Sequence, residues 1–258
     1  MNFGSREKIR IISKEEGANL PIMLSQSDLQ HLIDHFDDPS VLHGLLLHGS
    51  CAKGSDDAAS DIDLICVKRA DELERKQSRF LERKVDLYIS PPDLIRRAFA
   101  KPRPDNNNVI LNAFMAGHIL AERDDVVSHL ARDARVIWQN GPPPISPAQQ
   151  TRRVGRLTKG LEQSKKTSSR GELSHLSTEL AKLLADSVFR EAVAVYCRVN
   201  RRWASSLPET LQWFRRDDPR FYERCEHYLL SQDLAQRVAR LERVIGTLVA
   251  TEPASALD

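Results

Sequence analysis

The sequence predicts an α+β domain, a mixed sheet with flanking helices, followed by an all-α helical bundle domain. Three observations predict this fold class. Short apolar runs bounded by turn residues, typical of buried strands, occur only in the first part of the chain. The proline-rich segment at 141–147 then breaks any regular element. Beyond it, apolar residues recur at helical spacing. We therefore expect one domain over residues 1–140 and a second over 141–258.

Local patterns place the elements of the first domain. Apolar runs predict three strands, at Gly44–Leu47, Ile62–Val67 and Val85–Ile89. Amphipathic spacing with capping or proline signals predicts three helices, at Ser25–Phe36, Asp93–Ala100 and Asp125–Trp138. The segment Val109–Leu120 is apolar throughout, so helix and strand both stay open there.

Two long amphipathic patterns dominate the second domain. They cover Leu173–Val199 and Leu234–Val249, and we expect about four or five helices in all, packed by apolar stripes. The stripe of the first pattern is expected to comprise Leu176, Leu180, Leu183, Leu184, Val188, Ala192, Val195 and Val199. Trp203 and Trp213 are expected to pack in the same bundle.

Three aspartates are placed where strands would bring them together. Asp61 and Asp63 are two residues apart at the start of a predicted strand, so both side chains point to one face. Asp86 interrupts a later strand, on the face opposite its apolar neighbours. Carboxylates held close together repel each other unless a proton or a cation lies between them. Oxygen ligands favour Mg²⁺ or Mn²⁺ over Zn²⁺.

A turn with the chemistry of a phosphate site precedes these acids by ten residues. Gly49 lets the backbone approach a ligand closely, and Ser50 adds a hydroxyl and a backbone N–H. Lys53 can neutralise phosphate charge, and Ser60 lies directly before the first acid. We expect these four residues to bind the phosphates of a nucleotide.

The joint pattern resembles the nucleotidyltransferase superfamily that includes DNA polymerase β, whose signature is filled by Gly49, Ser50, Asp61, Asp63 and Asp86. The resemblance is greatest to the bacterial branch of kanamycin nucleotidyltransferase and the streptomycin/spectinomycin adenylyltransferases. It extends to a weaker C-terminal likeness, Asn200–Trp203 followed by a helix and Asp218-Pro219. Many relatives carry a triphosphate-binding lysine in this tail. This chain has none there, which leaves Arg201, Arg202 or Arg215 for that contact.

The resemblance implies the nucleotidyltransferase fold and transfer of a nucleoside monophosphate, with ATP as the expected donor among NTPs, to a hydroxyl of a small-molecule acceptor. Pyrophosphate leaves. Asp61 and Asp63 would bind two magnesium ions, Asp86 would complete the second site, and Asp86 would also serve as the general base. An aminoglycoside acceptor would need an acidic pocket in the helical domain, with Glu172, Glu179, Asp186 and Glu191 as candidates.

Two alternatives stay open: a protein-modifying (AMPylating) enzyme of toxin–antitoxin type, and a catalytically idle nucleotide-binding module. The net charge of +2 argues against a nucleic-acid partner. No apolar run reaches the roughly 20 residues that span a bilayer. Four isolated cysteines are typical of a reduced, cytoplasmic protein. Monomer and homodimer are both compatible with the sequence.

Overall fold

The computed structural model describes residues 10–11, 27, 31, 42–54, 60–69, 72–80, 82–100, 108–168 and 174–250. Contacts divide the chain into two compact units, the first ending at Asn140 and the second beginning at Gly141, apart from Asn108, which belongs with the second. Of the helix predicted at Ser25–Phe36, only Ser27 and His31 are described, and both are helical and exposed. The rest of that helix lies outside the described residues.

The first unit is built on a six-stranded mixed sheet. Its strands are β1 (Arg10–Ile11), β2 (Leu42–His48), β3 (Ile62–Lys68), β4 (Glu74–Phe80), β5 (Arg83–Ser90) and β6 (His118–Glu122). They lie in the order β1-β6-β2-β3-β5-β4. Strands β3 and β5 are parallel, and all other neighbours are antiparallel. The three predicted strands are therefore the three central neighbours β2, β3 and β5.

Helices flank this sheet. They are α1 (Gly49–Lys53), α2 (Pro92–Ala100), α3 (Val109–Ala116) and α4 (Val126–Asn140). The helices predicted at Asp93–Ala100 and Asp125–Trp138 are confirmed as α2 and α4. The ambiguous segment Val109–Leu120 holds both elements, since α3 ends at Ala116 and β6 begins at His118.

Alternation along β3 and β5 separates the core from the acids. Six side chains form one buried apolar cluster: Ile62, Leu64, Cys66, Val85, Leu87 and Ile89. Successive residues of a strand face opposite sides of the sheet, so Asp63 and Asp86 lie on the other face. Strand β4, which the sequence analysis did not predict, is a polar edge strand, and charged side chains are common on such edges.

The second unit is helical over its described residues. Its helices are α5 (Pro147–Ser168), α6 (Ser174–Val199), α7 (Leu207–Asp217), α8 (Pro219–Leu229) and α9 (Leu234–Ala250). Helices α5 and α6 approach closely at Gly160, where an added Cβ would lie 2.6 Å from Val188. Phe189, Phe214, Phe221, Tyr228 and Leu241 belong to one buried core. All four cysteines of the chain are buried and unbridged.

The stripe predicted for α6 is wrong over its first half. Leu176, Leu180 and Leu183 are exposed, whereas Ala181, Ala185 and the residues from Ala192 to Cys197 are buried. The predicted contacts of Val188, Ala192, Val195 and Val199 are confirmed. Ala181 lies beside α5, because Ser164 Oγ donates to its backbone carbonyl at 2.7 Å. Among the described residues, no helix is long and apolar enough to cross a bilayer.

Candidate functional site

A row of polar side chains crosses four neighbouring strands of the first unit. His48 of β2 pairs with Asp63 of β3, Asp63 pairs with Asp86 of β5, and Asp86 pairs with Gln77 of β4. Residues directly opposite each other on paired strands share a face. The strand register therefore places Asp63 and Asp86 side by side, as the sequence pattern predicts.

Gly49 brings the backbone against this row. It begins the short helix α1 with φ +73°, a conformation that residues with a Cβ rarely adopt. A Cβ at this position would overlap the Asp63 carboxylate. The turn is thus packed directly against the acid, with Ser50 next in the chain and half-buried. Gly54, which ends α1, has a similar φ of +64° but open space where a Cβ would stand.

The folded structure disfavours the ionised form of Asp63. Burial raises the pKa of its carboxyl, and the nearby charges of Asp86 and Asp61 raise that pKa further. Lys84 and Arg75 lower it to a smaller extent. Three carboxylates therefore interact in one small region, and the charged form of Asp63 lacks full compensation.

Asp86 is held by a cation from the edge strand. It is 5% exposed, and the Arg75 guanidinium donates from Nε to Oδ1 at 2.9 Å and from Nη2 to Oδ2. The hydrogen bonds from Arg75 hold the pKa of Asp86 below its usual range. Arg75 also lies over the Tyr88 ring, 5.2 Å from its centroid. Asp86 is consequently a charged acceptor and a weakened base while this pairing lasts.

Asp61 is paired as well, at the surface. Lys84 Nζ donates to its Oδ2 at 2.9 Å, and this hydrogen bond raises the pKa of Lys84. Both side chains are nearly half exposed, so the pair contributes little to stability. Asp61 precedes β3 rather than lying in it, yet its charge still acts on Asp63.

The donor chemistry of these three residues fits a hard divalent cation. All their donors are carboxylate oxygens, and because burial and the charges of Asp86 and Asp61 raise the pKa of Asp63, added positive charge would favour its ionised form. In this arrangement Arg75 and Lys84 supply that charge. Within the described ranges no group of three or more His, Cys, Asp or Glu side chains is arranged to hold a metal. Metal binding by Asp61, Asp63 and Asp86 stays a prediction.

In the described part of the chain, a small cavity of about 260 Å³ opens beside this row. His48, Gly49, Lys53, Asp63 and Tyr88 line it together with residues of α3. Burial lowers the pKa of His48 to about 4, so the imidazole is neutral at physiological pH. Its Nε2 is buried and has no hydrogen-bond partner among the described residues. The cavity is below the roughly 300–1,000 Å³ of most small-ligand sites.

The remaining candidates for phosphate binding lie around the acids. Lys53 is the last residue of α1 and lines the cavity. The backbone carbonyl of Ser60 accepts two hydrogen bonds from Arg83, at 3.0 and 2.7 Å, which fix the chain just before Asp61. Arg83 also donates to Cys51 Sγ at 3.0 Å. Residues 55–59 lie outside the described residues.

The candidate residues of the second unit lie at the end of α6 and in or beside α7 and α8. Arg202 lies over the Trp213 ring, 4.7 Å from its centroid, and Arg215 is exposed. Asp218, whose side chain accepts a hydrogen bond from Phe221 N, caps α8. Arg201 has a positive φ of 52° at the turn after α6.

The acids of α6 do not form an acidic pocket. Lys182 donates a hydrogen bond to Glu179, and Tyr228 and Arg237 donate hydrogen bonds to Asp186. Glu191 lies 4.0 Å from Arg156. The fourth candidate, Glu172, lies outside the described residues. An aminoglycoside acceptor therefore gains no support from these side chains.

Arg75 and Lys84 are two charged residues of the site that the sequence analysis missed. Lys84 could have been found, because alternation along β5 places Lys84, Asp86 and Tyr88 on one face. Arg75 gave no signal, since β4 reads ERKQSRF and shows no apolar alternation. Only the pairing of β4 with β5 brings Arg75 beside Asp86.

Comparison with known proteins extends the fold assignment. No protein-family model matches the chain, and no curated protein does. Eleven chains of solved structures match. One is the crystal structure of a nucleotidyltransferase-like protein from Exiguobacterium sibiricum 255-15, with 16% identity, covering 87% of this chain and 74% of that chain, with a TM-score of 0.50. At this identity the likeness concerns the fold alone, and the chain has a nucleotidyltransferase-like fold.

Proposed function

We propose that this protein is a nucleotidyltransferase that moves a nucleoside monophosphate from an NTP to a hydroxyl group. One observation carries the proposal: Asp63 and Asp86 are register partners on parallel strands, and Gly49 packs its backbone against Asp63. Acids crowded beside a glycine turn suit a phosphate-bearing ligand that arrives with divalent cations. The nucleotidyltransferase-like fold supports the same reading.

The proposed reaction forms one bond and breaks one. The acceptor oxygen attacks the α-phosphorus, the bond between the α-phosphorus and the bridging oxygen to the β-phosphorus breaks, and pyrophosphate leaves. The hydroxyl proton goes to Asp86, which must first be freed from Arg75, because that pairing lowers its basicity. Gly49, Ser50, Lys53 and Ser60 would orient the β- and γ-phosphates.

Asp61, Asp63 and Asp86 would hold magnesium, and the full proposal has two magnesium ions bound there. When bound, the metal would neutralise phosphate charge and lower the pKa of the acceptor hydroxyl. ATP is the proposed donor, and a small molecule is the proposed acceptor. In its most specific form, the proposal places the chain in the kanamycin- and streptomycin-modifying branch. The acceptor would then be an aminoglycoside.

A second candidate function is a nucleotide-binding module without turnover. The ion pairs of Asp86 with Arg75 and of Asp61 with Lys84 favour it, since both acids already have cationic partners. In such a module these cations would remain in place and Asp86 would not act as a base. The two functions differ in whether bound ATP is ever cleaved between its α- and β-phosphates.

The test is transfer of radioactive label from ATP with Mg²⁺ to a panel of aminoglycosides, other polyhydroxylated small molecules and candidate protein acceptors. We expect label in the α-phosphate to reach one acceptor class, label in the γ-phosphate to leave as pyrophosphate, and Asp86→Asn to slow transfer roughly 10²–10⁴-fold. Transfer of the γ-label would overturn the proposal. ATP binding without transfer to any acceptor would favour the idle module.

A further inference from the structure

The helical unit contains a cavity of its own, about 740 Å³ in volume. It lies among α5, α6 and the start of α7, and the described residues that line it all belong to this unit. The volume is within the roughly 300–1,000 Å³ typical of small-ligand sites. None of the residues placed in the proposed transfer reaction lines this cavity.

One wall of the cavity is positively charged. Arg153 and Arg156 extend from α5, and Arg190 extends from α6. Glu191 is the only carboxylate among the described lining residues, and it lies 4.0 Å from Arg156. Burial, and then the charge of the nearby Arg153, lower the pKa of Arg198 of α6, which lies outside the lining.

The rest of the lining is mainly apolar and includes three hydroxyl groups. Its apolar part consists of Val193, Ala194, Ala204, Leu207 and Pro208. Ser205, Ser206 and Thr210 lie where α7 begins, and the N-terminus of a helix favours negative charge. This end is preformed, because Ser205 N donates to Thr210 Oγ1 at 3.1 Å and Glu209 N donates to the Ser206 side chain.

We propose that this cavity binds a small organic anion, a carboxylate or phosphate monoester with an apolar body. Arg156 and Arg190 hold the charged group, and the apolar body packs against Val193, Ala194 and Leu207. Guanidinium groups bind both kinds of anion through paired N–H donors. A polycation such as an aminoglycoside is repelled by the same wall.

The test uses the full chain without nucleotide and without added divalent metal, so its outcome is separate from that of the transfer assay. Phenyl phosphate, phenylacetate and benzylamine are titrated by calorimetry and by ligand-observed NMR. We expect at least one of the two anions to bind saturably and benzylamine not to bind. The tighter anion identifies the preferred charged group, phosphate or carboxylate.

Two variants locate the site. Arg190→Glu replaces an exposed side chain, so the fold should be retained, and we expect anion affinity to fall about tenfold or more, as loss of a charged hydrogen bond implies. Arg220→Glu is the matched control, because it makes the same charge change at an exposed position of α8 outside the cavity. It should leave affinity unchanged.

A charge swap makes the result specific. In the double variant Arg156→Glu, Arg190→Glu we expect benzylamine to bind and both anions to be rejected. Circular dichroism of each variant verifies that the helices are intact. The proposal is overturned if neither anion binds saturably to the wild type, if benzylamine binds it as tightly as the anions, or if Arg190→Glu and Arg220→Glu have equal affinities.

Discussion

Asp63→Asn is expected to stabilise the metal-free protein while removing its activity. The folded state raises the pKa of Asp63 through burial and through the charges of Asp86 and Asp61, so the ionised form is disfavoured there. Asparagine keeps the shape of the side chain without the charge. Transfer should fall by roughly 10²-fold or more, as when one electrostatic stabilising group is lost at an active site.

The pH dependence of this effect has a definite sign. Below the usual carboxyl pKa, Asp63 is protonated in both the folded and the unfolded state, so it does not lower the free energy of unfolding. As pH rises through that range, the unfolded chain releases the proton while the folded site retains it, so stability falls until the raised pKa is passed. The gain in free energy of unfolding from Asp63→Asn should therefore grow from acid to neutral pH.

Urea denaturation in EDTA at several pH values measures this gain. Asp93→Asn is the control, because Asp93 is an exposed acid in the first turn of α2, outside the acid row. Asp93→Asn should change both the stability at neutral pH and the rate of transfer much less than Asp63→Asn does. An Asp63→Asn protein that is less stable than the wild type at neutral pH, or that retains full transfer, would contradict the account.

Gly49→Ala is expected to damage the site by forcing the Asp63 carboxylate away from its position. Both Gly49 and Gly54 have positive φ, so alanine at either costs about 1–2 kcal/mol in backbone strain. Only at Gly49 does the added Cβ also overlap Asp63. That overlap should cost about 1–3 kcal/mol more, the usual range for overpacking.

Gly54→Ala is the matched control for this substitution. Its Cβ would meet nothing within 4 Å among the described residues, so it measures the backbone strain alone. We expect ATP binding to survive in Gly54→Ala and to be lost in Gly49→Ala, with the larger loss of stability in the latter. Equal effects of the two substitutions would show that Gly49 serves the turn and not the acid row.

The sequence was sufficient for the centre of the sheet and for the placement of the acids. Period-two alternation fixes which residues share a face, and this is why Asp63 and Asp86 could be placed together. It could not resolve Val109–Leu120, because a segment that is buried in either conformation carries no periodic signal. There Gly117 separates the end of α3 from the start of β6.

The errors arise where tertiary contacts decide the outcome. Leu176 and Leu183 have helical spacing and high hydropathy, yet close approach of α5 favours the small Ala181 and Ala185 at the contact. Arg75 reaches Asp86 through a pairing of β4 with β5 that polar sequence does not reveal. The basic character of the 740 Å³ cavity likewise depends on arginines from two separate helices.

The most direct measurement is a calorimetric titration of ATP into the wild type and Asp63→Asn, each with Mg²⁺ and with EDTA, because it needs no knowledge of the acceptor. The account predicts that the wild type binds ATP far more tightly with Mg²⁺ than with EDTA, and that Asp63→Asn loses this difference. Equal binding by the wild type with Mg²⁺ and EDTA, or unchanged Mg²⁺-dependent binding by Asp63→Asn, would contradict it.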